Sequence, residues 1–323
     1  TFNAGSSTVV FNTTGTATIS GSHTFNNLTC TTGGKIIRFP AGGTQSIGGT
    51  LTLDGTAGNL IRLISTSAGT QWNIDPNSDT TVSYLYVQDS NNSSPNRDIT
   101  ANTSTNAGNN DLSTGGVWIF TPSILTWDGS GGSNWDEEAS WDLGYVPGIG
   151  DTAIIPNEIN DPVLNLDVSV ANVNITDGIL DLVTYDLAVS GTLQISSGGR
   201  LRLQDTVGQT VTAGTTDFTS AVSTVEYYNA VTSTGLEAGS LYHNLEITGG
   251  TRTLSANLTV NNNWSVSAGA TLDLVNYDVG GTAPNLTVNA GALVRLHGGQ
   301  TVGGTKTVSG NAEYYGTSDY SGV

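Results

Sequence analysis

Along most of the chain apolar and polar residues alternate in short bursts, an apolar residue, a polar one and another apolar one, bounded by Gly, Asn or Ser. Leu51-Thr52-Leu53, Leu187-Ala188-Val189, Leu193-Gln194-Ile195, Leu201-Arg202-Leu203, Leu245-Glu246-Ile247, Leu258-Thr259-Val260, Leu272-Asp273-Leu274 and Leu286-Thr287-Val288 all have this form. A period of two with one apolar face predicts short, half-buried strands. The triplets that start at 180, 187, 193 and 201 follow too closely for long-stranded hairpins, and the punctuation between them is Gly-rich and turn-like. Helical periodicity is absent.

The pattern also repeats on a longer scale. Gly178-Ile179-Leu180-Asp181-Leu182-Val183-Thr184-Tyr185-Asp186 returns as Ala270-Thr271-Leu272-Asp273-Leu274-Val275-Asn276-Tyr277-Asp278. Thr224-Val225-Glu226-Tyr227-Tyr228 returns at a similar interval as Asn311-Ala312-Glu313-Tyr314-Tyr315, with a more distant copy at Thr8-Val9-Val10-Phe11-Asn12. Strands this short cannot form a core alone, but three of them can make one coil of a solenoid whose coils stack at the strand spacing. The expected fold is therefore all-β: a right-handed parallel β-helix in two modules, with tandem β-sandwich domains as the alternative. Coils of roughly 22–27 residues would give on the order of 12–14 of them, and a rod about 60 Å long. Inward Leu, Val and Ile would stack in columns, and outward Thr, Asn, Asp and Gln would form ladders.

Composition sharpens this picture. Of 323 residues only 11% are charged, against roughly 25% in an average globular protein. Nine Lys and Arg face 27 Asp and Glu, a net charge of −18. Nucleic acid and anionic membrane surfaces need a basic footprint and are excluded as partners. No apolar run reaches the length of a membrane helix, so no membrane insertion is expected. With Cys30 as the single cysteine no internal disulfide forms, and Cys30 reads as a small core residue. Scarce Lys and Cys with abundant Thr, Asn and Gly point to an extracellular bacterial surface.

A change of character at Thr121-Pro122-Ser123 divides the chain into modules 1–122 and 123–323, and the second opens with a Trp-rich segment, 127–156. That segment contains Trp127-Asp128-Gly129, Asn134-Trp135-Asp136, Ser140-Trp141-Asp142 and Pro147-Gly148-Ile149-Gly150-Asp151. It resembles the opening motif of repeat modules in large secreted bacterial surface proteins of the adhesin-like parallel β-helix family. Val225-Glu226-Tyr227-Tyr228 and Asn244-Leu245-Glu246-Ile247-Thr248-Gly249-Gly250 extend the resemblance over most of the chain. It implies a stalk, fibre or surface coat.

Candidate chemistry concentrates in the same segment. Trp127, Trp135 and Trp141 offer either a platform on which sugar rings stack or a plug for the open end of the second solenoid core, the plug being favoured because a coil stack must cover its terminal apolar face. Asp128, Asp136, Glu137, Glu138, Asp142 and Asp151 crowd one stretch that holds no Lys or Arg. Such oxygen donors in a Gly-rich loop suit Ca²⁺, the one cofactor considered, but a solvated acidic loop is the favoured reading because no EF-hand spacing or Ca²⁺-binding nonapeptide is present.

Nothing marks a catalytic centre. His23, His243 and His297 lie far apart without a metalloprotease motif, and no nucleophile elbow or Walker loop occurs. Parallel β-helices include polysaccharide lyases and hydrolases, which makes Arg200 and Arg202 worth weighing. Alternating with Leu201 and Leu203, both should point outward, with Asp205 close by. A lone cationic pair without a second carboxylate row reads as a solvated face. Asn-x-Ser/Thr triplets at Asn12, Asn27, Asn174, Asn257, Asn263 and Asn285 are what so much Asn and Thr produces by chance.

The last thirteen residues, 311–323, begin another long repeat. Thr1, Phe2, Tyr314, Tyr315 and Tyr320 are therefore expected to form assembly ends through which subunits stack head to tail. The expected function is non-enzymatic: an extracellular fibre subunit or adhesin stalk that self-associates. A glycan-binding module contacting a host or cell surface is the alternative, and a polysaccharide-degrading enzyme the third.

Overall fold

A computed structural model describes residues 5–111 and 115–314. The fold is a parallel β-solenoid of about 15 turns, nearly without helix. Among the described residues the one helical element is a single 3₁₀ turn, Glu138–Ser140. Strands of three to five residues dominate, with the nine-residue Leu187–Ile195 as the longest. Their pairings are parallel throughout, and the isolated bridge between Thr56 and Asn59 is the antiparallel exception among the described residues.

Two compact units are present. The first comprises Thr1–Thr126, Ser130–Gly132 and Glu137–Thr152, and the second Trp127–Gly129, Ser133–Asp136 and Ala153–Val323. In the first unit, parallel sheets carry the inward columns Val9–Leu28–Leu51 and Phe11–Cys30–Leu53, and Ile61–Leu85 and Leu63–Val87 continue the core in later coils. Phe39 and Trp72 stack face to face inside, with ring centres 3.9 Å apart. In the second unit one column runs Leu180–Leu201–Val225–Leu245–Trp264–Leu286 and a parallel one Leu203–Tyr227–Ile247–Val266–Val288. Alternation dictates these columns: each apolar residue of a triplet lands on the same inner face in every coil, so successive coils bury each other's side chains.

Many coils are shorter than the sequence suggests. The coil that leads from Trp72 to its partner Ser90 falls below the expected length, and the one from Leu203 to Tyr227 lies within it. The step from Thr44 to Asn73 exceeds it, because a longer loop precedes the second strand. Asp side chains build several of the corners. Asp181 Oδ1 accepts the Val183 amide at 2.9 Å and Asp273 Oδ1 the Val275 amide at 2.9 Å, and both valines take positive φ, 51° and 52°. These equivalent turns explain why the two aspartates recur with the long repeat. Their companions recur for a second reason. Asp186 Oδ1 accepts the Thr210 amide of the next coil at 2.7 Å, and Asp278 Oδ1 accepts that of Thr301 at 2.6 Å. In the first unit Asp79 accepts from Asp98 N, and Asp98 in turn from Val117 N, both at 3.1 Å. Side-chain oxygens thus clamp coil to coil at the corners, where backbone amides would otherwise lack partners.

Corner glycines allow the coils to approach. At Gly250, φ is +69° and a Cβ would lie 2.0 Å from the Val231 carbonyl oxygen of the neighbouring coil. No residue with a side chain fits there.

Three long polar side chains occupy inward positions. Gln45 is fully buried, Lys35 is 4% exposed with its ammonium 5.7 Å from the Phe11 ring centre, and Arg252 is fully buried.

Candidate functional site

The Trp-rich segment is divided between the two units. In the second, the Trp127 amide donates to the Ile154 carbonyl at 2.9 Å and its indole N–H to the Asn160 carbonyl at 2.6 Å, while Asn160 Nδ2 returns a bond to the Gly129 carbonyl at 2.9 Å. The Trp135 amide bonds the Val163 carbonyl at 2.9 Å. Trp141 groups with the first unit and follows the 3₁₀ turn. The three residues are 0, 1 and 2% exposed. Stacking on a sugar needs an open ring face, so a glycan platform on these rings is ruled out, and they serve as interior packing.

The six carboxylates do not converge. Glu138 Oε1 accepts from Arg62 Nη2 at 3.0 Å and its Oε2 from the Leu60 amide at 3.2 Å, which ties the 3₁₀ turn to the first unit's coils. Asp142 accepts the Thr126 amide at 2.9 Å. Asp136, in the second unit, accepts from Asn165 Nδ2 at 2.6 Å. Asp151 is buried, with Oδ1 accepting the Ser123 amide at 2.8 Å and Oδ2 the Gly148 amide at 3.0 Å. Burial pushes its pKa up despite these bonds and that of the Tyr145 hydroxyl. Asp128 is exposed and Glu137 half-buried. Among the described residues no three His, Cys, Asp or Glu side chains group as a metal site, so the Ca²⁺ reading gains no ligand set. Thr1, Phe2, Tyr315 and Tyr320 lie outside the described residues, as does the Tyr314 side chain.

The densest outward constellation lies instead on one sheet of the second unit. The strand Arg200–Leu203 sits between Ile179–Asp181 and Thr224–Tyr227, and Asn244–Ile247 follows. Register stacks Asp181, Arg202, Glu226 and Glu246 in one outward column. Arg202 Nη1 reaches Asp181 Oδ2 at 3.0 Å and its Nε reaches Glu226 Oε2 at 2.8 Å. Arg200 Nη1 bonds Glu246 Oε2 at 2.6 Å and Glu226 Oε2 at 3.2 Å. Tyr228 donates to Asp181 Oδ1 at 2.8 Å, and the Arg202 guanidinium lies 4.5 Å from its ring centre.

Arg200 and Arg202 thus have the carboxylate row that the sequence reading denied them. The Glu246 hydrogen bond raises the Arg200 pKa against the effect of burial. Burial works to raise the Glu226 pKa, but the Thr248 hydroxyl and the two arginines outweigh it and hold the carboxyl below its ordinary value. A general acid needs the opposite shift. The constellation is a closed ion-pair ladder in which each charge is matched by a neighbour.

Asp205 does not join it. Its φ of +55° turns it at the corner, and it is 3% exposed, with Oδ2 3.3 Å from Arg252 Nε and accepting from the Ser233 hydroxyl. That Nε is within ion-pair reach but not aligned for a hydrogen bond. Arg252 also donates to the carbonyls of Val231, Gln204 and Tyr228 at 2.7, 2.9 and 3.2 Å. Burial raises the Asp205 pKa and lowers that of Arg252, in each case outweighing the attraction between them. The Tyr227 and Tyr242 hydroxyls, 3.1 Å apart, extend this internal polar cluster.

No protein-family model, no curated protein and no solved structure matches this chain.

Proposed function

We propose that the protein is a non-enzymatic structural element of an extracellular bacterial surface, a stalk or fibre subunit whose coils act as a self-supporting spacer. The observation that carries this reading is the destination of the polar side chains. Corner aspartates clamp backbone amides of the next coil, and the Arg200–Arg202 charges close on Asp181, Glu226 and Glu246. Groups committed to neighbouring coils hold the stack together and are not free to act on a substrate. A filled interior supports the same reading, with the Trp-rich segment contributing buried rings rather than a binding face. Scarce Lys and a single buried Cys suit an environment outside the cell, where stability comes from ladders and packing.

Immunogold labelling of intact source cells, with an antibody raised against the purified chain, tests this directly. Gold on the outer surface, removed by protease treatment of whole cells, is the expected result. Label confined to the cell interior would overturn the proposal.

A further inference from the structure

One stretch of the first unit departs from the rule that outward polar groups pair with their neighbours. A groove of about 360 Å³ crosses successive coils at the ends of the strands His23–Phe25, Thr44–Ile47 and Trp72–Pro76 and reaches the loop after Ser90–Asn92. Register places Thr24, Ser46 and Asp75 side by side on three adjacent coils. The Ser46 hydroxyl makes a long 3.4 Å contact to Asp75 Oδ2. Asp75 Oδ1, the Thr24 hydroxyl and the Asn96 side-chain amide have no hydrogen-bond partner among the described residues. Arg97 also lines the groove. Unlike Arg62, Arg200, Arg202 and Arg252, its guanidinium has no ion-pair or hydrogen-bond partner among the described residues. Asn77 donates to the Gly48 carbonyl at 3.0 Å. Pro95, exposed, supplies apolar surface at the groove, and the buried Pro76 forms part of its wall.

We infer that this groove binds a neutral saccharide across coils of the first unit. The charges select the ligand class. A carboxylate that only accepts and a guanidinium that only donates face one cleft, together with hydroxyls and amides that do both. An anionic ligand meets Asp75 and a protein of net charge −18; a cationic one meets Arg97. An uncharged polyhydroxylated chain satisfies both groups, because each sugar hydroxyl donates to Asp75 or accepts from Arg97, and the exposed Pro95 ring can cover a C–H face. The volume suits a short oligosaccharide segment. The site is separate from the Trp-rich segment, and the inference stands whether or not the spacer reading holds, since it rests on groups that the coil stack leaves unpaired.

Saturation-transfer NMR tests it on the purified chain with neutral trisaccharides (maltotriose, cellotriose, mannotriose and triacetylchitotriose) at about 5 mM, a range suited to weak binding, beside the charged trimers trigalacturonate and the fully deacetylated glucosamine trimer. At least one neutral trisaccharide is expected to bind more tightly than either charged trimer. Asp75→Asn and Arg97→Gln should each weaken that binding about tenfold or more, as expected for loss of a charge-assisted hydrogen bond. Glu246→Gln, outside the groove, should leave it unchanged. Arg97 and Asn96 are both exposed, so Arg97→Gln and Asn96→Ala report on the groove even if Asp75→Asn disturbs folding. The inference is overturned if no neutral trisaccharide binds, if a charged trimer binds more tightly, or if binding survives the groove substitutions.

Discussion

Arg252 and Asp205 show how much a single inward position can cost and specify. A guanidinium at full burial is tolerated because three backbone carbonyls and one carboxylate surround it. Breaking such a pair from one side leaves a buried charge without its counterion, a loss of about 3–5 kcal/mol. Asp205→Asn and Arg252→Met are each expected to lower unfolding free energy by that order, measured by urea denaturation. The double variant should lose clearly less than the two single losses together, because neither charge is then stranded. Equal and additive losses would show that the pair is not coupled. Alternation in Arg200-Leu201-Arg202-Leu203 made the two outward arginines legible in sequence, but it stops at the corner, where positive φ sends Asp205 inward. The inward Arg252, flanked by Thr251 and Thr253, carries no apolar signature that could reveal it.

Between residues and coils stands the ladder, whose energetics depend on pH in a definite direction. The Glu226 carboxyl is held below its ordinary value of 4.5 in the folded chain, so on acidification the unfolded chain takes up this proton first. Its contribution is therefore complete above pH 4.5 and is lost as pH falls through the depressed folded-state value. Glu226→Gln is expected to cost about 1–2 kcal/mol at pH 7, modest because the arginines are partly solvated, and next to nothing at the acidic end. Matched denaturation curves of both proteins across pH 3–7 check the convergence, and a constant difference would remove the ladder from the account. The acidic partners were hidden in sequence for a geometric reason. The step along the chain from Arg202 to Glu226 is longer than the step from Glu226 to Glu246, so no constant period links the column. The triplets predicted the strands, but the length of many coils was overestimated, as the short steps from Trp72 to Ser90 and from Leu245 to Trp264 show.

At the scale of the whole molecule, stability is local in kind. Within each unit strand pairing joins a coil to the coils before and after it, side chains such as Arg200 reach one coil further to Glu246, no disulfide joins distant parts, and Cys30 is a buried free thiol. Such stacks behave as chains of nearest-neighbour interactions rather than as one cooperative core. Scanning calorimetry is therefore expected to give a calorimetric enthalpy larger than the van't Hoff enthalpy. Equality of the two would mean that the whole chain unfolds as one block.

The paired corners at Asp181–Val183 and Asp273–Val275 carry an evolutionary corollary. The two turns are built alike, but Ile179–Asp181 and Thr271–Asp273 lie in different sheets, so unequal recombination between their coding segments would insert or excise a run of strands that is not a whole number of coils. Both junctions would keep their turns, and each strand after the junction would move to the neighbouring face of the coil. A gene for such a chain can change the length of its product in steps counted in strands rather than in whole coils.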